Sequence, residues 1–237
     1  MKLNLKHLLL ISSLTLLSAT ASAVVDEPAM PDLFSSLTES QSISASTSLG
    51  IDPGKLFLSE NAIVTVYFLG EGAGYKNSFG WYDATLDPTI AENRNIIWSN
   101  ASGTAAGLGG GGDLAVGDSV SLGELSAGTE LGFFLIANGY NNPNGDIFYT
   151  ETTFNSDGID HVIAGATGAD GLLALGFEDL LGGGDQDYND LMIAIDIGIE
   201  NVVQVVAAAP EPAVWALIIV GLMMTLSKNL VFPGRAG

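Results

Sequence analysis

Apolar and polar positions alternate most regularly towards the C-terminal third of the chain. Leu191, Ile193, Ile195, Ile197 and Ile199 fall on one face, and Met192, Ala194, Asp196 and Gly198 on the other. Successive side chains of an extended backbone point to opposite sides, so this period of two predicts a strand over Leu191–Ile199 with one face in a core. Ile63–Leu69 (IVTVYFL) is β-branched and aromatic and predicts a second strand. Shorter apolar pieces predict others at Ile96–Trp98, Ser119–Leu122, Leu131–Ala137, Ile147–Phe154, Ile159–Ile163 and Gly171–Phe177, with Trp81 and Tyr82 as strand or core-edge aromatics. Between them lie turn formers: Asp52-Pro53-Gly54, Gly70–Gly74, Asn138–Gly145 and Asn155–Gly158. Many short strands, turn-rich connections and no long helical period predict an all-β domain over residues 51–199, an antiparallel β-sandwich of jelly-roll-like type.

The two ends read as addresses. Residues 1–23 have a basic start (Lys2, Lys6), an apolar run from Leu8 to Leu17, and small residues at Ala21-Ser22-Ala23, the pattern of a cleaved secretory signal. Residues 24–50 are rich in Ser, Thr, Ala and acidic residues and read as a flexible lead-in with a short helix near Asp32–Leu37. Residues 200–209 read as a linker. Beyond it, Pro210-Glu211-Pro212 precedes the apolar run Ala213–Leu226 and the basic residues Lys228 and Arg235. With Leu230–Phe232 included, that run reaches about twenty residues, enough for a transmembrane helix, and the positive charge after it predicts a cytoplasmic tail. The order Pro-Glu-Pro, apolar helix, basic tail over 210–237 resembles the PEP-CTERM sorting signal of Gram-negative bacteria, although Lys228 and Arg235 are spread apart where that signal carries an arginine cluster. The resemblance implies an inner-membrane intermediate handled by exosortase-type sorting machinery, and a destination in the cell envelope or extracellular matrix.

Composition narrows the chemistry. The chain has 237 residues, 27 acidic against 7 basic, and a formal net charge of −20. A phosphate-binding face needs clustered Lys and Arg, so nucleic acid is not an expected partner. The chain has no cysteine, which excludes disulfides, thiolate metal sites and a cysteine nucleophile. The glycine-rich stretches Gly70–Gly74 and Gly103–Gly112 lack the Lys-Ser/Thr of a phosphate loop and read as turns.

Charge is concentrated in one segment, Gly176–Asp190 (GFEDLLGGGDQDYND). It holds Glu178, Asp179, Asp185, Asp187, Asn189 and Asp190 with no Lys or Arg among them. Carboxylates this close repel one another, and the candidates to offset that cost are water and a hard cation. Calcium takes six to eight oxygen ligands, and glycines let a backbone curl to supply them. Asp185, Asp187 and Asn189 alternate as in an EF-hand, but Asp190 stands where that loop needs glycine, and a strand rather than a helix follows. A single GGGD does not make a repeated calcium β-roll. The expectation is therefore a one-off Ca2+ site whose ligands are Glu178, Asp179, Asp185, Asp187, Asn189 and Asp190. Magnesium and zinc fit this ligand set less well.

Asp157, Asp160 and His161 form a second constellation. No nucleophile elbow accompanies them, so His161 reads as a structural histidine and no catalytic residue is expected. Glu178 and Asp179 are adjacent, so they point to opposite faces and do not flank a glycosidic bond.

The phrases YFLGEGAGYKNSFGWYD (Tyr67–Asp83), FNSDGIDHV (Phe154–Val162) and LGFEDLLGGGDQDYNDLMI (Leu175–Ile193) resemble DUF4114, a domain of unknown function in bacterial exported and surface proteins. The resemblance spans Ile51–Ile199 and implies location and a cation site rather than a reaction. The functional expectation is an exported, calcium-binding, non-enzymatic envelope or matrix protein associated with extracellular polysaccharide or a biofilm. The alternatives are a carbohydrate-active enzyme using acidic side chains and a permanently membrane-tethered periplasmic binding module.

Overall fold

The structure, a computed structural model, describes residues 51–104, 111–166 and 172–209, together with two short strands, β1 (Thr38–Glu39) and β2 (Ser42–Ile43), which pair with each other. The signal, the Asp32–Leu37 helix and the whole 210–237 segment expected from the sequence lie outside the described residues. Among the described residues, no helix is long and apolar enough to cross a membrane.

The domain is all-β and sandwich-like, built from antiparallel strands with one short helix. Ten further strands follow β2: β3 (Leu56–Phe57), β4 (Ala62–Gly70), β5 (Ser78–Asp83), β6 (Arg94–Trp98), β7 (Ser119–Leu125), β8 (Glu130–Ile136), β9 (Ile147–Tyr149), β10 (Val162–Ala166), β11 (Leu172–Phe177) and β12 (Leu191–Asp196). One five-stranded sheet has the order β10-β11-β12-β4-β7. The other has the order β3-β8-β5-β6, with β9 also paired to β8. The most alternating strands of the sequence, β12 and β4, are neighbours inside the first sheet, with Ile195 opposite Val66.

Facing side chains of the two sheets form the core. Val64, Val66 and Phe68 of β4 and Leu173, Leu175, Phe177, Ile193 and Ile195 of β11 and β12 meet Phe79, Trp98, Phe133, Leu135 and Phe148 of the second sheet. Phe79 is its hub. Its ring stacks on Trp98 and on Phe133 at centroid distances of 5.8 and 5.9 Å, and meets Phe177 of the other sheet edge-on at 5.5 Å. On the outer side of the second sheet Tyr82 lies flat over Gly132. A Cβ there would come within 2.2 Å of the Tyr82 ring, so only glycine fits.

The structure departs from the sequence reading in several places, the first being the β1–β2 pair, which lies in the stretch read as a flexible lead-in. Met192 and Ala194, on the face opposite the core, are also buried, in a second apolar cluster with Leu69, Leu172 and Ala174. The last strand stops at Asp196, because Gly198 adopts φ 79° and Ile199 opens a helix, α1 (Ile199–Ala208). That helix occupies the stretch read as a linker, and it packs Val202 and Val205 into the core. Its buried Asn201 is the anchor. The side-chain oxygen accepts from the N–H groups of Ser59 and Glu60, and the amide donates to Ile197 O. Finally, the strand expected over Ile147–Phe154 ends at Tyr149 and gives way to a 3-10 turn at Thr152–Phe154, and β10 begins at Val162 rather than Ile159.

Phe79→Ala removes the ring at which both sheets meet. It is expected to lower unfolding stability by about 3–5 kcal/mol, read from the urea midpoint; a loss below about 1 kcal/mol would contradict this packing role.

Candidate metal centre

The acidic segment is the connection between β11 and β12. Phe177 and Leu191 are paired across the sheet, so residues 178–190 close one end of it as a hairpin loop. Its path depends on left-handed backbone. Gly182, Gly183 and Gly184 have φ of 83°, 81° and 51°, which glycine adopts without steric cost. Gln186 and Tyr188 adopt the same region, with φ of 62° and 53°. For such residues this costs on the order of 1–3 kcal/mol each and persists only where surrounding contacts enforce it. Left-handed residues thus alternate with Asp185 and Asp187, and the loop folds back over the end of β11.

The fold-back brings carboxylate oxygens of Glu178, Asp185 and Asp187 within 4.8 Å of one another. Asp185 is exposed and Asp187 half-buried, whereas Glu178 is 1% exposed and forms the floor. Glu178 Oε1 accepts the Tyr188 N–H at 2.7 Å. Glu178 Oε2 is sealed from solvent and has no hydrogen-bond partner. A Cβ on Gly184 would come within 2.2 Å of that oxygen, so the glycine keeps the space above it clear. Burial pushes the Glu178 carboxyl up to about 7, the Tyr188 N–H opposes this, and the charges of Asp190, Asp185 and Asp187 add to it. Asp187 is also raised, chiefly by burial and further by Asp185, against the Asn189 N–H that it accepts. An all-oxygen donor set with an unsatisfied buried carboxylate oxygen at its base fits a hard divalent cation.

The remaining expected ligands are placed differently. Asn189 donates its side-chain amide to Asp187 and so holds a member of the acidic triad in place. Asp179 and Asp190 form a separate pair behind the loop. The Asp179 N–H donates to Asp190 Oδ2 at 2.8 Å, and Asp179 Oδ2 accepts from Asn77 Nδ2 at 2.7 Å. Burial raises both carboxyls, and each is further raised by neighbouring carboxylates. The single site read from the sequence is thus resolved into an outer triad, Glu178–Asp185–Asp187, and an inner pair, Asp179–Asp190.

Two residues of the inner group escape a reading of the acidic segment alone. Glu71, in the glycine-rich turn after β4, accepts the Gly103 N–H at 3.2 Å, and burial and then Asp190 raise its carboxyl. Asn77, just before β5, bridges from the second sheet to Asp179 and also accepts the Asn138 N–H at 2.9 Å. The only sequence signal for either was a polar side chain inside an otherwise glycine-rich or aromatic stretch. The Asn100-Ala101-Ser102 segment lies alongside, tied by the Ala101 N–H to Asn77 O at 2.7 Å.

The Asp157–His161 constellation lies against the same loop. His161 is fully buried, its Nε2 stands 3.0 Å from Asp157 Oδ2, and that oxygen also accepts the Gly182 N–H at 2.9 Å. Burial opposes the charged form of Asp157, but the hydrogen bonds from Gly182, His161 and Ile159 outweigh it and hold the carboxyl below its ordinary range. Asp160 turns away and accepts from the Thr152 hydroxyl.

Residues 125–198 match the family described as Domain of unknown function (DUF4114). The match runs from the end of β7 to Gly198 and takes in the whole acidic loop and the Asp157–His161 turn. The Tyr67–Asp83 phrase lies outside it. No curated protein and no solved structure matches the chain.

The raised Glu178 carboxyl fixes a sign for pH dependence. In the unfolded chain it ionises near 4.5, and in the fold at about 7. Between those values the folded protein holds the extra proton, so its contribution is full below the lower value and is lost as pH rises through the upper one. With a chelator present, the melting temperature is expected to fall between about pH 5 and about pH 8, and Glu178→Gln to make that fall shallower, the remainder belonging to Asp190, which burial also pushes up to about 7. A wild-type melting temperature that climbs across the same window would refute the assignment.

Proposed function

We propose that this chain is an exported calcium-binding module with a binding or structural, non-enzymatic role in the cell envelope or extracellular matrix. The observation that carries the reading is the Glu178 carboxylate, which has a buried, unpartnered Oε2 and an oxygen within 4.8 Å of carboxylate oxygens of Asp185 and Asp187. Leaving such a group unsatisfied costs several kcal/mol, and a bound cation supplies its missing partner. Glu178, Asp185 and Asp187 hold the ion. Calcium is preferred to magnesium because it tolerates irregular oxygen shells, and to zinc because no nitrogen or sulfur ligand belongs to the triad.

The ion's contribution is to cancel repulsion among carboxylates and so tie the two strand ends together, which suits a domain working outside the cell where calcium is abundant. Export is supported by the signal-like residues 1–23 and by the Pro-Glu-Pro, apolar and basic order of 210–237, which fit passage through the inner membrane and exosortase-type processing. Extracellular polysaccharide is the proposed partner, met at the exposed side of the triad, where Asp185 is open to solvent.

Calcium at about one hundred times its Kd is expected to add about 2.7 kcal/mol of stability, raising the melting temperature by roughly 5–10 °C for a domain of this size. Glu178→Gln is expected to abolish most of that rise while leaving the chelated protein at pH 8 as stable as wild type or more so, because it removes a buried charge. An unchanged melting temperature and no binding heat at millimolar calcium would sink the cation reading. Mass spectrometry of released protein tests export: a C-terminus near Pro210 supports processing, whereas a wholly intact, membrane-bound chain favours a tethered module.

A further inference from the structure

We propose that Asp157 and His161 are positioning residues for the cation site, clamping the buried ligand Glu178 and the Gly182–Gly184 turn in the geometry that binds. This rests on the cation reading of the acidic loop.

The clamp touches the loop at two places. Asp157 Oδ2 accepts the Gly182 N–H at 2.9 Å, at the first of the three left-handed glycines, and so pins the start of the turn. His161 grips the floor residue through the backbone. Its carbonyl accepts the Glu178 N–H at 2.9 Å, and its Nδ1 stands 3.3 Å from the Glu178 carbonyl oxygen. The His161–Asp157 contact at 3.0 Å joins these two grips into one unit. Ile159, between them, presses on the same turn: a Cβ on Gly183 would lie 3.2 Å from its Cδ1.

The His161 half of the unit is packed into the core. The His161 ring is 0% exposed and stacks on Phe148 at a centroid distance of 3.9 Å with planes 24° apart. Phe148 belongs to β9, in the opposite sheet, so the loop is referenced through His161 to the rigid core rather than to its own strand ends. The side chains of both residues are already engaged by these contacts, which makes them supports rather than ligands.

Such a support matters because the ligands repel one another. A loop free to spread would relax in the absence of an ion and would have to be ordered again on binding, and that ordering weakens affinity. Outer contacts that orient metal ligands typically contribute 10–100-fold to affinity.

The test is calorimetric titration of the purified chain with calcium, comparing wild type, Asp157→Asn, His161→Phe and Asp160→Asn. His161→Phe keeps the stacking on Phe148 and loses both polar contacts. Asp160→Asn removes a charge from the same turn; the Asp160 carboxylate accepts from Thr152 and acts on the acidic loop only through its charge near Tyr188. Asp157→Asn and His161→Phe are expected to weaken calcium binding by about 10–100-fold, and Asp160→Asn by less than about threefold. Terbium bound to Asp157→Asn is expected to carry at least one more water than in wild type, read from luminescence lifetimes in H2O and D2O. Should His161→Phe fail to fold, Asp157→Asn, on the surface turn, decides. Equal calcium affinity in wild type and Asp157→Asn, whatever the change in melting temperature, overturns the positioning role and leaves the cation reading standing. Equal weakening by Asp160→Asn also overturns it, because loss of charge alone would then account for the effect. Absence of calcium binding by wild type overturns both readings together.

Discussion

A carboxylate held out of water must find compensation, and the loop end of this sandwich is arranged around that requirement. Glu178 closes the apolar interior at the end of β11, directly after Phe177, which meets the Phe79 hub. It is buried there, only 1% exposed. One oxygen is satisfied by Tyr188 N–H and the other is not. The left-handed residues of the loop, the clear space over Gly184 and the return of Asp185 and Asp187 all make sense as the surroundings of that one oxygen.

Behind the triad, the inner group serves a different purpose. The buried hydrogen bond from Asn77 to Asp179 runs between the two sheets. Asn189 O accepts the Gly72 N–H at 2.8 Å, fastening the same loop to the end of β4. The outer carboxylates are thus mounted on a joint that already unites the sheets.

Much of this architecture was legible in the residues. The alternation in β12 and the β-branched run in β4 placed the central pair of the first sheet, and the density of acidic residues marked the loop. What sequence periodicity could not show was burial on the second face. Met192 and Ala194 look like a solvent side only if a strand is assumed to have one. The linker reading of 200–209 failed because a short apolar stretch has no intrinsic commitment; Asn201 and the contacts of Val202 and Val205 make it helical. The division of the acidic residues into a triad and a pair was equally invisible. It depends on Asn77 and Glu71, roughly a hundred positions away in the chain, and on left-handed turns at Gln186 and Tyr188 that no residue preference predicts.

The anchoring of α1 has a mechanical meaning. Its last turn ends at Ala208, so any load applied to the chain beyond Ala209 enters the domain through this helix. The load passes through Asn201 to the backbone of Ser59 and Glu60, just before β4, a strand bonded to neighbours on both edges. The covalent route from α1 into β12 and the Asn201 bonds towards β4 both lead to interior strands of the first sheet, each bonded to neighbours on two edges.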